Sequence, residues 1–310
     1  MKTDARLPPK DPDFVWLNGK IVTWNESKVP ILTHALHYGT AVFEGIRAYP
    51  SEDNLNIFRL REHFNRLMYS AKVYYLSIGY SIEELMQAAV QVVRKNGYHE
   101  RTYIRPLVFV GYGGIGLDFT GVSIETAIIA VPFFKYFSKP SVRVKISTWR
   151  RISHESNPPM AKASGNYLNS VLAKFESLSD GYDEAIMLDH RGYLSEGTGE
   201  NIFLVKDGLI HTPPISSGIL AGITRDTVIK LASDLGYNVV ERDIDRAELY
   251  SCEEAFFSGT AAEVTPITEV DRRIVGDGQP GPITTKIRET YLQVVEGRNE
   301  RYMHWLTPVY

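Results

Sequence analysis

The chain has 310 residues, which at a prior of about 150 residues per domain leaves room for two domains. It is 44% hydrophobic and 23% charged with a formal net charge of -3, so it reads as a globular chain with no global field for nucleic acid or an anionic membrane. The basic residues are scattered, no run of five like charges occurs, and the single cysteine, Cys252, cannot close an internal disulfide, which fits a reducing compartment.

In chain order, the first stretch, MKTDARLPPKDPDF, carries no apolar leader region, and a cytoplasmic location is expected. FVWLNGKIVTW is two apolar runs joined by Asn18-Gly19, a hairpin signal. A strand is expected near Ala41–Tyr49. Leu60, Phe64, Leu67, Met68 and Ala71 then recur at helical spacing. A second helix opens at Ser81 and Glu84, which spell a capping box, and ends at Lys95 and Gly97. TYIRPLVFVG and ETAIIAVPFF read as strands; AIIAVPFF, the longest apolar run, contains Pro132 and is too short to cross a bilayer. The proline-bounded PFFKYFSKPS reads as an interdomain connection, which sets a small N-terminal α/β domain at 1–131, a connecting loop at 132–141 and a larger domain at 142–310.

In the second part VRVKISTW alternates as a strand, and KASGNYLNSVLAKFESLSDG is helical in its second half. DEAIMLDHRGYLSEG and ENIFLVKDGLIHT read as hairpins turning near Arg191-Gly192 and at Asp207-Gly208. GITRDTVIKLASDLG is an amphipathic helix closed by Gly236, NVVERDI and AFFSG are strands, and ITTKIRETYLQVVEG is a final helix. Cys252 precedes the apolar EEAFF and reads as a packing residue. The many hairpins predict mixed or antiparallel sheets, not purely parallel ones, and a fold class of α/β with α+β character.

Two motifs are set aside. Gly111, Gly113 and Gly116 spell G-x-G-x-x-G after a strand, but a dinucleotide site needs a helix next. LDFTGVSIETAIIA predicts a loop and a strand instead, so a nicotinamide dehydrogenase is disfavoured and the loop reads as mobile. His34 and His37 are spaced H-x-x-H without a third ligand nearby, so no metal site is expected.

Lys162 stands out in NPPMAKASGNYL, with no other charge between Glu155 and Lys174 and small neighbours on both sides. A desolvated lysine is a nucleophile toward carbonyls, although an exposed loop lysine would look the same. Two stretches could each hold a phosphate. Gly222, Ile223 and Thr224 stand at a helix N-terminus, and Gly259-Thr260 ends a strand. A Schiff-base lysine with two phosphate cradles suggests pyridoxal phosphate. Glu196, in GYLSEGTGEN, could keep the pyridine nitrogen protonated.

HALHYGTAVFEGIRAY, REHFNRL, YIRPLVFVGYGGIGL, AKASGNYLNS, GYLSEGTGENIF, GILAGITRD and SGTAAEVTPI occur together in one order and spacing. With them, the chain resembles the branched-chain amino acid aminotransferases, class IV aminotransferases of the pyridoxal-phosphate fold type IV, from about Phe14 to the last helix. The resemblance implies Lys162 as the Schiff-base residue and Glu196 as partner of the pyridine nitrogen. It implies Tyr167 on the ring hydroxyl, Leu220 on the ring face, and Arg66 with Gly222, Ile223, Thr224, Gly259 and Thr260 on the phosphate. For substrate it implies Phe43, Tyr136 and Tyr167 around an apolar side chain, and Tyr103, Arg105 and Thr260-Ala261 at the α-carboxylate. Gly45 and Arg47, of the EGIR segment, are implied as further substrate-binding residues. Tyr38 and the loop at Ile115 and Leu117 would come from a neighbouring subunit, making a homodimer the minimum active unit, with a hexamer compatible with the bacterial and archaeal members.

The implied reaction is ping-pong transfer between branched-chain L-amino acids and 2-oxoglutarate, which gives branched 2-oxo acids and L-glutamate, with no nucleic-acid or membrane partner. A D-amino acid aminotransferase or an aminodeoxychorismate lyase would share the lysine and glutamate; Arg47 in EGIR, the Tyr103/Arg105 pair and SGTAA favour the branched-chain group.

Overall fold

The computed structural model describes residues 11–133 and 135–310. Most of the stretch read as lacking a leader (residues 1–10), and Phe134 of the expected connection, lie outside the described residues. The chain forms two compact units. Met1–Tyr136, Ala161–Gly165 and Val294–Tyr310 make the first, and Phe137–Met160 and Asn166–Gln293 the second. Two stretches that lie beyond the expected connection, around Lys162 and at the C-terminus, are thus part of the first unit and not of the second.

In the first unit the N-terminal hairpin forms as read. Phe14–Leu17 pairs antiparallel with Lys20–Thr23 across Asn18 and Gly19, whose φ values of 48° and 89° are those a two-residue hairpin turn of type I′ requires. The expected strand near Ala41–Tyr49 is two strands, Ala41–Phe43 and Ile46–Pro50. Both pair with Thr102–Val110, at Phe43↔Leu107 and Ile46↔Ile104. Between them the Glu44 N–H reaches the Pro106 carbonyl at 2.9 Å. Proline has no N–H to return the bond, so the ladder breaks there.

Among the described residues eight strands make this sheet, and each of its pairings is antiparallel. Helices Leu60–Val73 and Ile82–Lys95 bury Leu60, Phe64, Leu67, Leu85, Ala89 and Val92 in one core with Ile46, Ile57, Ile104 and Ile128. The capping box at Ser81 and Glu84 is made in both directions, at 3.2 and 2.7 Å.

The second unit holds a nine-stranded mixed sheet among the described residues. Val142–Ile146 lies parallel to both Glu184–Leu188 and Glu263–Val270, and Leu209–Thr212 lies parallel to Val239–Glu241. The two hairpins form as read, and the helices are Tyr167–Ser179, Ile223–Asp234 and Pro282–Val295. Glu263–Val270, a central strand, was not expected; Pro266 inside its run argues against strand on sequence grounds. Among the described residues no helix is long and apolar enough to cross a membrane.

The C-terminus closes the first unit: Leu306–Pro308 pairs antiparallel with Leu55–Phe58, and Val309 is fully buried. Deleting residues 306–310 should cost at least about 2 kcal/mol through the lost burial of Val309 alone. A truncated chain that unfolds at the same denaturant midpoint as the full chain would show that this strand adds no stability.

Candidate active site

Lys162 is held by its backbone on both sides. Its carbonyl accepts the Phe43 N–H at 3.0 Å, its N–H donates to Ser70 Oγ at 3.0 Å, and the next residue, Ala163, bridges Val42. The short lysine segment therefore lies along Ala41–Phe43, tied to it by one isolated bridge and one backbone hydrogen bond. The side chain is half-buried, with Nζ 4.9 Å from the Phe43 ring centroid.

Phe43, Glu44 and Gly45 organise the groups around it. Phe43 also packs under Arg105, whose guanidinium carbon is 4.7 Å from the ring centroid. The Glu44 carboxylate is fully buried and accepts Arg66 Nε at 2.6 Å, Arg66 Nη2 at 2.9 Å and His63 Nδ1 at 2.7 Å. Burial would raise its proton affinity, but Arg66 and then His63 outweigh this and hold the carboxyl far below the usual range. Burial lowers the proton affinity of His63, and Glu44 only partly offsets it, with Arg66 and Lys162 adding repulsion. At Gly45 a Cβ would stand 2.2 Å from the Tyr103 hydroxyl, so a side chain there would displace Tyr103. That hydroxyl accepts from Arg105 Nη2 at 2.9 Å, while the buried Arg105 Nε has no hydrogen-bond partner. Arg47 lies opposite Tyr103 in the strand pairing: it is 2% exposed, its Nη2 donates to the Phe133 carbonyl at 3.0 Å, and it stacks on Tyr49 and on Phe133, whose ring centroid is 5.4 Å from that of Tyr103. Tyr136 is half-buried.

Tyr38 ends the short helix His34–Tyr38 and touches the glycine-rich loop. Its hydroxyl accepts the Gly116 N–H at 3.1 Å, and His34 Nε2 bonds the Gly116 carbonyl at 2.7 Å. Ile115 and Leu117, on either side, are 82% and 83% exposed. A strand, Ile124–Pro132, comes after the loop, so the dinucleotide motif lacks its helix. His37 Nε2 bonds the Ile31 carbonyl at 2.9 Å.

In the second unit Glu196 lies in the strand Leu194–Gly197, one residue before its end, and is 5% exposed. Arg151 Nε lies 2.9 Å from Oε1, and Asn201 Nδ2 and the Leu220 N–H donate to Oε2 at 3.0 and 3.1 Å. Leu220 thus reaches Glu196 through its backbone, and its carbonyl accepts a second bond from Asn201 at 2.9 Å. Gly222 is the N-cap of the helix Ile223–Asp234 and offers no side-chain cap, so the first turn is suited to an anion. A Cβ at Gly222 would fall 1.9 Å from Asn201 Oδ1. Ile223 and Thr224 are buried in that turn; Tyr167, Thr260 and Ala261 are half-buried. Ser258 Oγ, just before Gly259 and Thr260, is buried without a hydrogen-bond partner. Within this unit a buried hydroxyl lacking a partner and the N–H groups of the helix end at Gly222 suit an anion, and a phosphate would fit them.

The sequence reading missed Glu44, His63 and Ser70 in the first unit and Arg151 and Asn201 in the second. Each acts through another residue, and the one local signal is His63 three positions before Arg66 on a helix. Cys252 is 5% exposed, and burial pushes its thiol up to about 12, as befits a packing residue.

The model of the amino-transferase class IV family matches residues 41–270. A branched-chain-amino-acid aminotransferase of Salmonella typhimurium is 46% identical over 308 residues, 98% of this chain and 99% of that protein. A Thermoproteus uzoniensis branched-chain aminotransferase structure with norvaline superposes with a TM-score of 0.94 at 51% identity, covering 96% of this chain and 100% of that one. A T.th. branched-chain amino acid aminotransferase complexed with N-(5'-phosphopyridoxyl)-L-glutamate gives 0.93 at 45% identity over 96% and 99%. The chain belongs to the class IV aminotransferases and, within them, to the branched-chain amino acid aminotransferases.

Glu200 is a further buried acid of the second unit. Burial, and then the charge of Glu184, push its carboxyl up to about 8. The unfolded chain would release this proton near the ordinary value of 4.5, so folding loses stability as pH rises between the two values and the loss is complete above the higher one. Glu200→Gln should therefore gain on the native chain from about pH 5 to about pH 9, by on the order of a few kcal/mol, since a tenfold proton affinity is worth about 1.4 kcal/mol. Parallel melting-temperature profiles for the two chains would show that Glu200 ionises normally.

Proposed function

We propose that the chain transfers the amino group of leucine, isoleucine and valine to 2-oxoglutarate, with pyridoxal 5'-phosphate as cofactor and a homodimer as the minimum working assembly. What carries this reading is Lys162, half-buried and fixed by its backbone beside Phe43, in a chain nearly half identical to branched-chain aminotransferases throughout its length. The related Thermoproteus protein is described with norvaline and the T.th. protein with a phosphopyridoxyl-glutamate adduct, an aliphatic amino acid and a glutamate derivative.

The cofactor, when bound, supplies an aldehyde carbon for an imine and a protonated pyridine ring that withdraws electrons. The rest falls to the chain. Lys162 Nζ would hold the cofactor through its aldehyde carbon and would take a proton from the substrate Cα and return it. Glu196, kept in place by Arg151, Asn201 and Leu220, would face the pyridine nitrogen and favour a proton there. Tyr167 binds the ring hydroxyl and Leu220 packs on the ring. Arg66, the turn at Gly222, Ile223 and Thr224, and Gly259-Thr260 receive the phosphate. Arg105, with Tyr103 and Thr260-Ala261, receives the substrate α-carboxylate, and Phe43, Tyr136 and Tyr167 wall the space for an aliphatic side chain.

The dimer reading rests on exposed apolar side chains around the Tyr38 helix and the loop that Tyr38 holds. Ile31, Leu36, Ile115 and Leu117 are 82%, 60%, 82% and 83% exposed, and exposed apolar surface of this kind marks interaction sites. Tyr38, Ile115 and Leu117 would then complete the neighbouring subunit's substrate pocket.

L-leucine added to the purified protein without an oxo acid should convert the visible cofactor band to that of pyridoxamine phosphate. A band unmoved by L-leucine but shifted by D-alanine would reassign the substrate. Lys162→Ala should lower kcat by at least about 100-fold with the fold intact; normal turnover in that variant would remove the proposed mechanism. Leu36→Asp should yield folded monomers with little activity, and an active monomer in sedimentation would reject the dimer requirement.

A further inference from the structure

Glu44 touches none of the reacting groups proposed above, yet it is 0% exposed and sits where the strand ladder is broken. Its two oxygens meet Arg66 edge-on through Nε and Nη2, at 2.6 and 2.9 Å. A third contact comes from His63 at 2.7 Å and a fourth from the Gly45 N–H at 3.2 Å. An arginine side chain left to itself samples many rotamers; a two-point fork on one edge fixes the guanidinium plane and so aims its other donors. His63 fixes the carboxylate in turn, and the strand break is what lets Glu44 reach both.

We propose that Glu44 is a positioning residue for Arg66: its carboxylate holds the guanidinium in the orientation that grips the cofactor's phosphate, and its loss weakens phosphate recognition selectively. The inference rests on the reading of Arg66 as a phosphate ligand. A residue that only stabilised the fold would affect all cofactor binding alike. A residue that only tempered the charge of Arg66 would, once neutralised, tighten phosphate binding.

The test is titration of the full-length chain, stripped of cofactor, with pyridoxal phosphate and with pyridoxal, which lacks the phosphate, tracked by the visible cofactor band. The native chain is compared with Glu44→Gln, Arg66→Ala and the double variant. Glu44→Gln should weaken pyridoxal phosphate by about tenfold or more, as expected for losing a charge-assisted bond, and leave pyridoxal unchanged. Arg66→Ala should show the same selectivity, and Glu44→Gln should add nothing to it. Equal weakening of both ligands, tighter or unchanged phosphate binding, or full additivity in the double variant would each overturn the proposal. If Arg66→Ala leaves both ligands alone, the phosphate reading of Arg66 fails, and with it the proposal. If the native chain gives no band with pyridoxal phosphate, the cofactor reading itself fails. Glu44→Asp keeps the charge but cannot span both nitrogens; it carries the same arms should Glu44→Gln not fold.

Discussion

A carboxylate taken out of water must meet cations or keep its proton, and the first unit is arranged around how Glu44 satisfies that demand. The strand that would run from Ala41 to Pro50 is interrupted at Glu44 because Pro106 cannot return a backbone bond. The interruption places the acid over the helix carrying His63 and Arg66. The neighbours on either side then fall into place: Phe43 bonds the lysine segment and supports two cations, and Gly45 leaves room for the Tyr103 hydroxyl. Three consecutive residues thus position the lysine, the phosphate arginine and the carboxylate arginine of the proposed chemistry.

The same demand is answered in three ways in the second unit. Glu196 is paired with Arg151 at 2.9 Å, both side chains 6% exposed, and so can remain an anion in a dry setting. Glu184 is paired with Lys174 at 2.6 Å and also accepts from Thr198 Oγ1 at 2.7 Å. Glu200 accepts the Gly199 N–H at 3.1 Å, but burial and then the charge of Glu184 outweigh Lys174 and push its carboxyl up to about 8. An acid proposed to hold a proton on a ring nitrogen needs to be the ionised one. Partner choice, rather than residue type, separates Glu196 from the acid four positions later.

Much of this was legible because it is local. Asn18-Gly19, Asp207-Gly208 and the Ser81–Glu84 box specify backbone geometry within four residues, and all three appear as read. What was hidden depends on distant partners. The break at Glu44 is caused by a proline about sixty positions on, and the strand Leu306–Pro308 finds Leu55–Phe58 across most of the chain. Lys162 is marked in the sequence by the absence of charges around it, whereas Arg151, just outside the empty stretch, and Ser70, which holds the lysine backbone, carry no such mark. Residues that act through another residue carry no motif of their own.

The glycine-rich loop illustrates how the element after a motif decides its meaning. Gly111, Gly113 and Gly116 match a phosphate-binding spacing, yet the next regular element is Ile124–Pro132, and a strand start offers no aligned N–H groups for an anion. The glycines serve a different need. His34 and Tyr38 grip Gly116 through its carbonyl and N–H, while Ile115 and Leu117 on either side face outward. Two polar bonds at one residue fix the loop without burying its apolar side chains, which leaves those side chains presented to whatever covers them. A loop that only joined two strands would gain nothing from that exposure; one that closes over an aliphatic substrate on a neighbouring copy would require it.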